Sequence, residues 1–186
     1  MSTTELTNTT LPAGTYRLDA VHSSAGFAVK HMVVATFRGQ FDQFDATLTV
    51  DQAGKPSLTG VVQVDSLQVK DENLKGHLSS PEFFDTERYP EIRFNASEIE
   101  IDQAGDLKVV GDLTVRDQTH RVESTGTISG PAVTFGDVTK VGLTLETIVD
   151  RTQYGLNWNA PLPKGGVALA NDVKLTVELE LALQEA

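Results

Sequence analysis

The sequence predicts an all-β protein: an antiparallel sheet of about eight strands closed into a barrel, with one or two short helical turns near residues 71–88. Apolar and polar residues alternate with period two along most of the chain, so each strand has one apolar and one wet face. The parity of that alternation slips twice, and Gly39, Gly60, Gly111 and Gly126 interrupt strand patterns, as tight curvature requires. Several strands are also long, and closing them removes exposed edges and leaves room for side chains or one ligand. A two-sheet sandwich would use the same alternation; the glycines and strand lengths favour the barrel.

Residues 1–14 are Thr-rich, poor in large apolar groups and closed by Pro12 and Gly14, which suggests a loose lead-in to one domain over 15–186. Ala25, Phe27, Val29 and His31 then share one strand face. Phe37, Gly39 and Phe41 hold one parity, whereas Phe44, Ala46, Leu48 and Val50 hold the other, so a bulge or bend near Asp42–Gln43 is expected. Leu58, Val62 and Val64 alternate with Thr59 and Gln63. The stretch from Lys70 to Asp85 has helical spacing: Leu74 and Leu78 lie four apart, and Ser80, Pro81 and Glu82 carry an N-cap, N1 and first-turn signature ahead of Phe83 and Phe84.

Strands resume with Ile92, Phe94 and Ala96, and the second slip precedes Ile99 and Ile101. Leu107, Val109, Gly111, Leu113 and Val115 alternate cleanly, and a turn at Arg116–Thr119 leads into His120, Val122, Ser124, Gly126 and Ile128. Leu143, Leu145, Thr147 and Val149 follow. The clearest strand is the last, with Val173 to Leu183 alternating against Lys174, Thr176, Glu178 and Glu180.

At 186 residues the chain can bury about 70% of the surface its unfolded form exposes, enough for a core with a cavity inside it. Its net charge of −11 and pI near 4.7 argue against nucleic-acid phosphates and anionic lipid headgroups as partners. The absence of cysteine excludes disulfides and thiolate metal sites. The N-terminus has no basic n-region or apolar h-region, and no run approaches the roughly 18 apolar residues of a membrane span, so the chain as given reads as soluble, cytoplasmic and not membrane-spanning.

Reactive signatures are sparse. There is no Walker loop, Rossmann glycine pattern, nucleophile elbow or helical zinc motif. His22, His31, His77 and His120 fall on four separate elements, so no local spacing gathers them around a metal. His31, last on its apolar face, reads as a rim residue hydrogen-bonded to backbone. Ser23 and Ser24 beside His22 lack a third orienting group and read as a structural turn. Glu82, Asp85 and Glu87 could imitate a carboxylate pair, but on a turn they more often cap and solvate it. No catalytic residue, metal or cofactor is therefore expected. What remains is apolar content on one face: eight phenylalanines and one tryptophan that either fill a core or line a hollow one.

The stretch from Tyr16 to Leu48, the block LSSPEFFDTERYPEIRFNAS, the segment GDLTVRDQTHRV and the terminal DRTQYGLNWN with NDVKLTVELELALQEA together closely resemble the YceI-like family of polyisoprenoid-binding proteins, in order and with compatible spacing from about Thr15. The resemblance implies a lipocalin-like barrel with a long apolar tunnel, usually a homodimer, holding an isoprenoid quinone, polyprenyl chain or similar lipid. It also implies a family that is often periplasmic or secreted, from which this N-terminus departs.

On that basis the expected function is non-enzymatic carriage or storage of the lipid. The tunnel would be lined by Phe27, Val29, Phe41, Phe94, Val115, Leu145 and the Phe83–Phe84 turn, with Trp158 at its mouth. His31, Arg151 and Asn157 are candidates to hold a head group. Phe83 and Phe84 would either line one end of the tunnel or act as a structural stopper. The alternatives are a lipid-modifying enzyme within the barrel and a stress-related interaction module whose barrel is filled and whose partner binds outside.

Overall fold

The structure, a computed structural model, describes residues 10–186. Its strands are β1 (Gly14–Leu18), β2 (Ser24–His31), β3 (Ala35–Phe41), β4 (Phe44–Val50), β5 (Pro56–Gln63) and β6 (Leu67–Gln68); helix α1 (Glu72–Ser79) precedes β7 (Glu91–Ile101), β8 (Asp106–Val115), β9 (Gln118–Val133), β10 (Thr139–Asp150) and β11 (Leu169–Leu183). All pairings are antiparallel. They reduce to eight staves, because β1 and β2 both lie along β11, β4 and β3 lie along β1 and β2, and β5 and β6 lie along β4 and β3. β5 then pairs with β7, from β7 to β11 each strand pairs with the next, and β11 returns to β1 through Tyr16↔Leu183 and Leu18↔Leu181 to close the barrel. The predicted fold class holds.

Each of the first three staves is broken in its middle. The break in the second falls at Asp42–Gln43, where a bulge or bend was expected. The chain bends at Asp42 and changes partners there, since β3 pairs with β2 and β6 while β4 pairs with β1 and β5.

Where a ladder stops, backbone groups must find other partners. Ser66, buried in the third break, supplies them: its Oγ accepts from the Gln43 N–H at 2.9 Å and donates to the Gln63 carbonyl at 2.6 Å, while its own carbonyl accepts from the Asp42 N–H. Ser23 does the same in the first break, accepting from the Glu180 N–H and donating to the Asp19 carbonyl. It is a structural serine, and Asp19 caps the adjoining turn by accepting from the Val21 N–H.

The second parity slip is a bulge in β7 between Ala96 and Glu98. Gly111 and Gly126 serve close approach as expected: a Cβ would stand 2.6 Å from the Asn95 carbonyl oxygen at Gly111 and 1.7 Å from that of Thr144 at Gly126. Gly60 does not, because nothing lies closer than 3.7 Å. Of the expected lead-in, residues 1–9 lie outside the described residues; Leu11 is buried, and the buried Tyr16 donates to the Pro12 carbonyl.

Tight turns at 51–55, 102–105 and 134–138 cap one end of the barrel, where β1 begins and β11 finishes. Here Tyr16, Leu48, Val50, Val109, Val141, Leu143 and Leu181 meet in a filled core that is aliphatic apart from the Tyr16 ring. The opposite end carries the 32–34 turn, α1 with the chain to residue 90, the 116–117 turn and the long connection 151–168. Its apolar residues form a second cluster, rich in rings.

Candidate functional site

A cavity of about 420 Å³ occupies this second half of the barrel. It lies within the 300–1,000 Å³ typical of small-molecule sites. Its floor includes Ala46, Leu58, Leu145 and Leu179, where the aliphatic core begins, and its lining is almost wholly apolar.

The walls follow from strand alternation. Phe27 and Val29 of β2, Phe37 and Phe41 of β3, Phe94 of β7, Leu113 and Val115 of β8 and Leu145 of β10 all face the axis. Phe27 lies flat against Gly39, whose added Cβ would stand 2.4 Å from the ring, so that glycine sets where the phenylalanine can lie. Phe27 in turn meets Phe37, Phe41 and Phe84 with ring centroids 6.0, 5.9 and 6.4 Å apart, in tilted and edge-on pairs.

The roof is built by α1 and the turn behind it. Asp71 caps α1 by accepting from the Leu74 N–H, and Leu74, His77 and Leu78 reach the cavity. Ser80 closes this helix instead of starting a new one: its Oγ and its N–H both donate to the His77 carbonyl. Its carbonyl then receives the N–H groups of Phe83 and Asp85, folding Pro81–Phe84 into a tight non-helical turn.

That turn divides its two rings. Phe84 packs on Phe27 and Phe41, whereas Phe83, 5% exposed, meets His77 edge-on at 4.9 Å and Trp158 at 5.5 Å, and these two meet each other edge-on at 5.1 Å. Both line the cavity. Buried Asp85, with a left-handed φ of 50°, anchors the turn between Arg88 and Arg116, 3.7 and 3.9 Å from its carboxylate.

The second part of the roof is the connection 151–168, and Arg151 holds it. Its Nε donates to the Ala170 carbonyl, Nη1 to those of Leu156 and Trp158, and Nη2 to that of Leu169. Burial pushes the guanidinium below its ordinary value, and these carbonyl dipoles offset the cost of burying its charge. Arg151 is therefore a fastener with its donors committed to backbone, not a free head-group ligand. Asn157 is exposed; Asn159 instead ties the segment down by donating to the Leu169 carbonyl and accepting from the Leu169 N–H.

Phe27, Val29, His31, Phe41, Phe83, Phe84, Phe94, Val115, Leu145 and Trp158, the ten residues selected from sequence, all border this one cavity. His31 sits exposed at the rim, and its ring makes no backbone hydrogen bond among the described residues. Sequence reasoning missed Leu74, Leu78, Tyr154 and Leu156. The signal for the last two was present in the alternation of Tyr154, Leu156 and Trp158 within the segment that joins β10 to β11.

The other polar candidates disperse. His22 pairs with Asp19, His77 with Glu82, and His120 Nε2 lies 2.9 Å from the Gln153 carbonyl. Among the described residues, the cluster with metal-like spacing, Asp19, His22 and Glu180, already surrounds the Lys140 ammonium, 2.6 Å from Glu180 and 3.5 Å from Asp19. A barrel filled throughout, as the interaction-module alternative required, is not what the second half contains.

Comparison with known proteins agrees with this geometry. The YceI-like domain matches residues 16–181. A UPF0312 protein of Staphylococcus aureus strain USA300 is 33% identical over 176 residues, 91% of this chain and 98% of that one. Among solved structures, BcnA of Burkholderia cenocepacia superposes with a TM-score of 0.74 at 20% identity, covering 88% of this chain and 98% of that one. A polyisoprenoid binding domain from Saccharophagus degradans, implicated in plant cell wall breakdown, superposes with a TM-score of 0.67 at 13% identity, covering 91% and 98%. At these identities the two structures establish the shared fold.

Proposed function

The chain belongs to the YceI-like family, and from that premise we propose that it binds and carries one long-chain apolar lipid, a polyisoprenoid or isoprenoid quinone, without altering it chemically. The observation that carries this reading is the ring-walled apolar cavity roofed by α1 and the Arg151-held connection. Each buried methylene contributes about 0.8 kcal/mol, so a hydrocarbon chain needs few polar contacts to be held tightly. The filled core sets the depth of entry, and any remaining chain or ring head group stays at the mouth beside His31. The name of the Saccharophagus domain supports the choice of an isoprenoid.

Native mass measurement of the protein from its own host, followed by organic extraction, tests the proposal. A stoichiometric lipid with an isoprene repeat is the expected result. Trp158 is the single tryptophan and lines the cavity, so added quinone should quench its emission at one-to-one stoichiometry. A bare polypeptide that also leaves Trp158 emission unchanged overturns the reading.

A further inference from the structure

The turn joining β2 to β3 consists of Met32, Val33 and Val34, which are 41%, 63% and 86% exposed. Met32 and Val33 have left-handed φ angles of 51° and 66°, a conformation that tight turns usually fill with Asn or Gly and that is a genuine outlier for a β-branched residue. A second turn lies against it: a Cβ on Gly166 would stand 3.3 Å from a Val33 methyl, and Val167 is 46% exposed. The two form an apolar lip at the cavity's end of the barrel, beside rim residue His31.

Charge around the lip is unlike that of the whole chain. The protein has 26 acidic residues, yet none lies between Asp19 and Asp42 or between Asp150 and Asp172, the two segments that contain the lip. Lys30, Arg38 and Lys164 within them are exposed and form no ion pair among the described residues. The turns at the filled end carry Asp51, Asp102, Asp106 and Asp137, and the roof on the mouth side carries Asp71, Glu72, Glu82 and Glu87, so the acid-free patch is the lip itself. A net charge of −11 opposes approach to an anionic surface on average, and the acid-free lip is where that repulsion is locally weakest.

We propose that the Met32–Val34 and Val167 lip is a docking surface for an anionic lipid bilayer, with the valines entering the headgroup region and Lys30, Arg38 and Lys164 facing the headgroups. Docking in this pose places the cavity mouth at the bilayer, so an apolar ligand passes without crossing water. That last step rests on the carrier reading; the docking does not.

The test is flotation of the full chain with phosphatidylcholine vesicles, with and without phosphatidylglycerol. Wild type should float with the anionic vesicles and detach as salt rises. Val34→Asp should weaken binding about tenfold by placing a charge where a methyl pair was buried, and Lys164→Glu should weaken it several-fold. Phe135→Ser, which removes a fully exposed ring at the filled end, should leave it unchanged. These side chains are exposed, and quinone quenching of Trp158 measured on each variant reports folding and loading separately from docking. Failure of wild type to float with anionic vesicles overturns the proposal, as does a loss in Phe135→Ser equal to that in Val34→Asp. Flotation by a protein that takes up no lipid removes the carrier reading and leaves the docking intact.

Discussion

At one end of the barrel Tyr16, Leu48, Val109 and Leu181 meet across the axis; at the other, Phe27, Phe41, Phe84 and Trp158 stand around a space. The strands supply both ends with the same inward alternation. Aliphatic side chains packed around the single Tyr16 ring interdigitate and close the first. Aromatic rings at the second lean edge-on against one another, and a helix, a turn and a long connection roof them without reaching the axis. Hollow or solid is thus decided by ring-on-ring support and by what crosses the opening, not by hydrophobicity alone.

The comparison is broken most severely at the fastener. Arg151→Ala should cost about 4 kcal/mol in urea denaturation, because four backbone carbonyls lose their donor. Lipid uptake should disappear with it, and hydrogen exchange should rise over 151–168 before the filled end is affected. Arg151→Lys keeps the charge but not the planar fork, and should recover only part of the loss.

A paired substitution sharpens the contrast. Leu181→Ala, at a site with no exposure, should cost about 3 kcal/mol and leave quinone uptake intact. Phe84→Ala should cost less, about 2 kcal/mol, because the ring is only partly buried and faces the cavity, but should change lipid retention several-fold. If retention is unchanged while Tm falls, the turn is a stopper.

Between the two ends, Ser66→Ala should cost about 2 kcal/mol by orphaning the Gln43 N–H and the Gln63 carbonyl. Its effect should register at both ends in hydrogen exchange.

The smallest effect concerns His22 at the first strand break. Its hydrogen bond to Asp19 raises the imidazole above its ordinary value and lowers the carboxyl below its own. The histidine's contribution is complete below its unfolded value and fades as pH rises through the raised one; the aspartate's fades as pH falls through its lowered one. An NMR titration should find His22 above, and in Asp19→Asn near, the ordinary histidine value.

Much of this was legible in the residues because a strand's side-chain period is set by its own backbone. Leu107, Val109, Leu113 and Val115 are all buried while Lys108 and Asp112 are exposed, as the alternation demanded. The ten cavity residues came from the same rule and from the family blocks.

What the residues left open depends on partners that they do not themselves name. The parity slip announced the bend at Asp42–Gln43, and only the partners of β3 and β4 show that the stave divides there. Ser80 carries an N-cap signature, yet α1 arrives first and claims it. Arg151 reads as a ligand-seeking cation, because nothing near it in sequence reveals that carbonyls from Leu156 to Ala170 converge on it.

The closing seam also governs the order in which the barrel assembles. Every other neighbouring pair of staves follows directly along the chain, whereas Tyr16↔Leu183 joins its two extremities. Loop-closure entropy makes that contact the slowest to form, so an open curved sheet precedes the ring. A permutant that links the termini and opens the chain at 134–138 would convert the seam into a hairpin and move the late contact to β9 and β10.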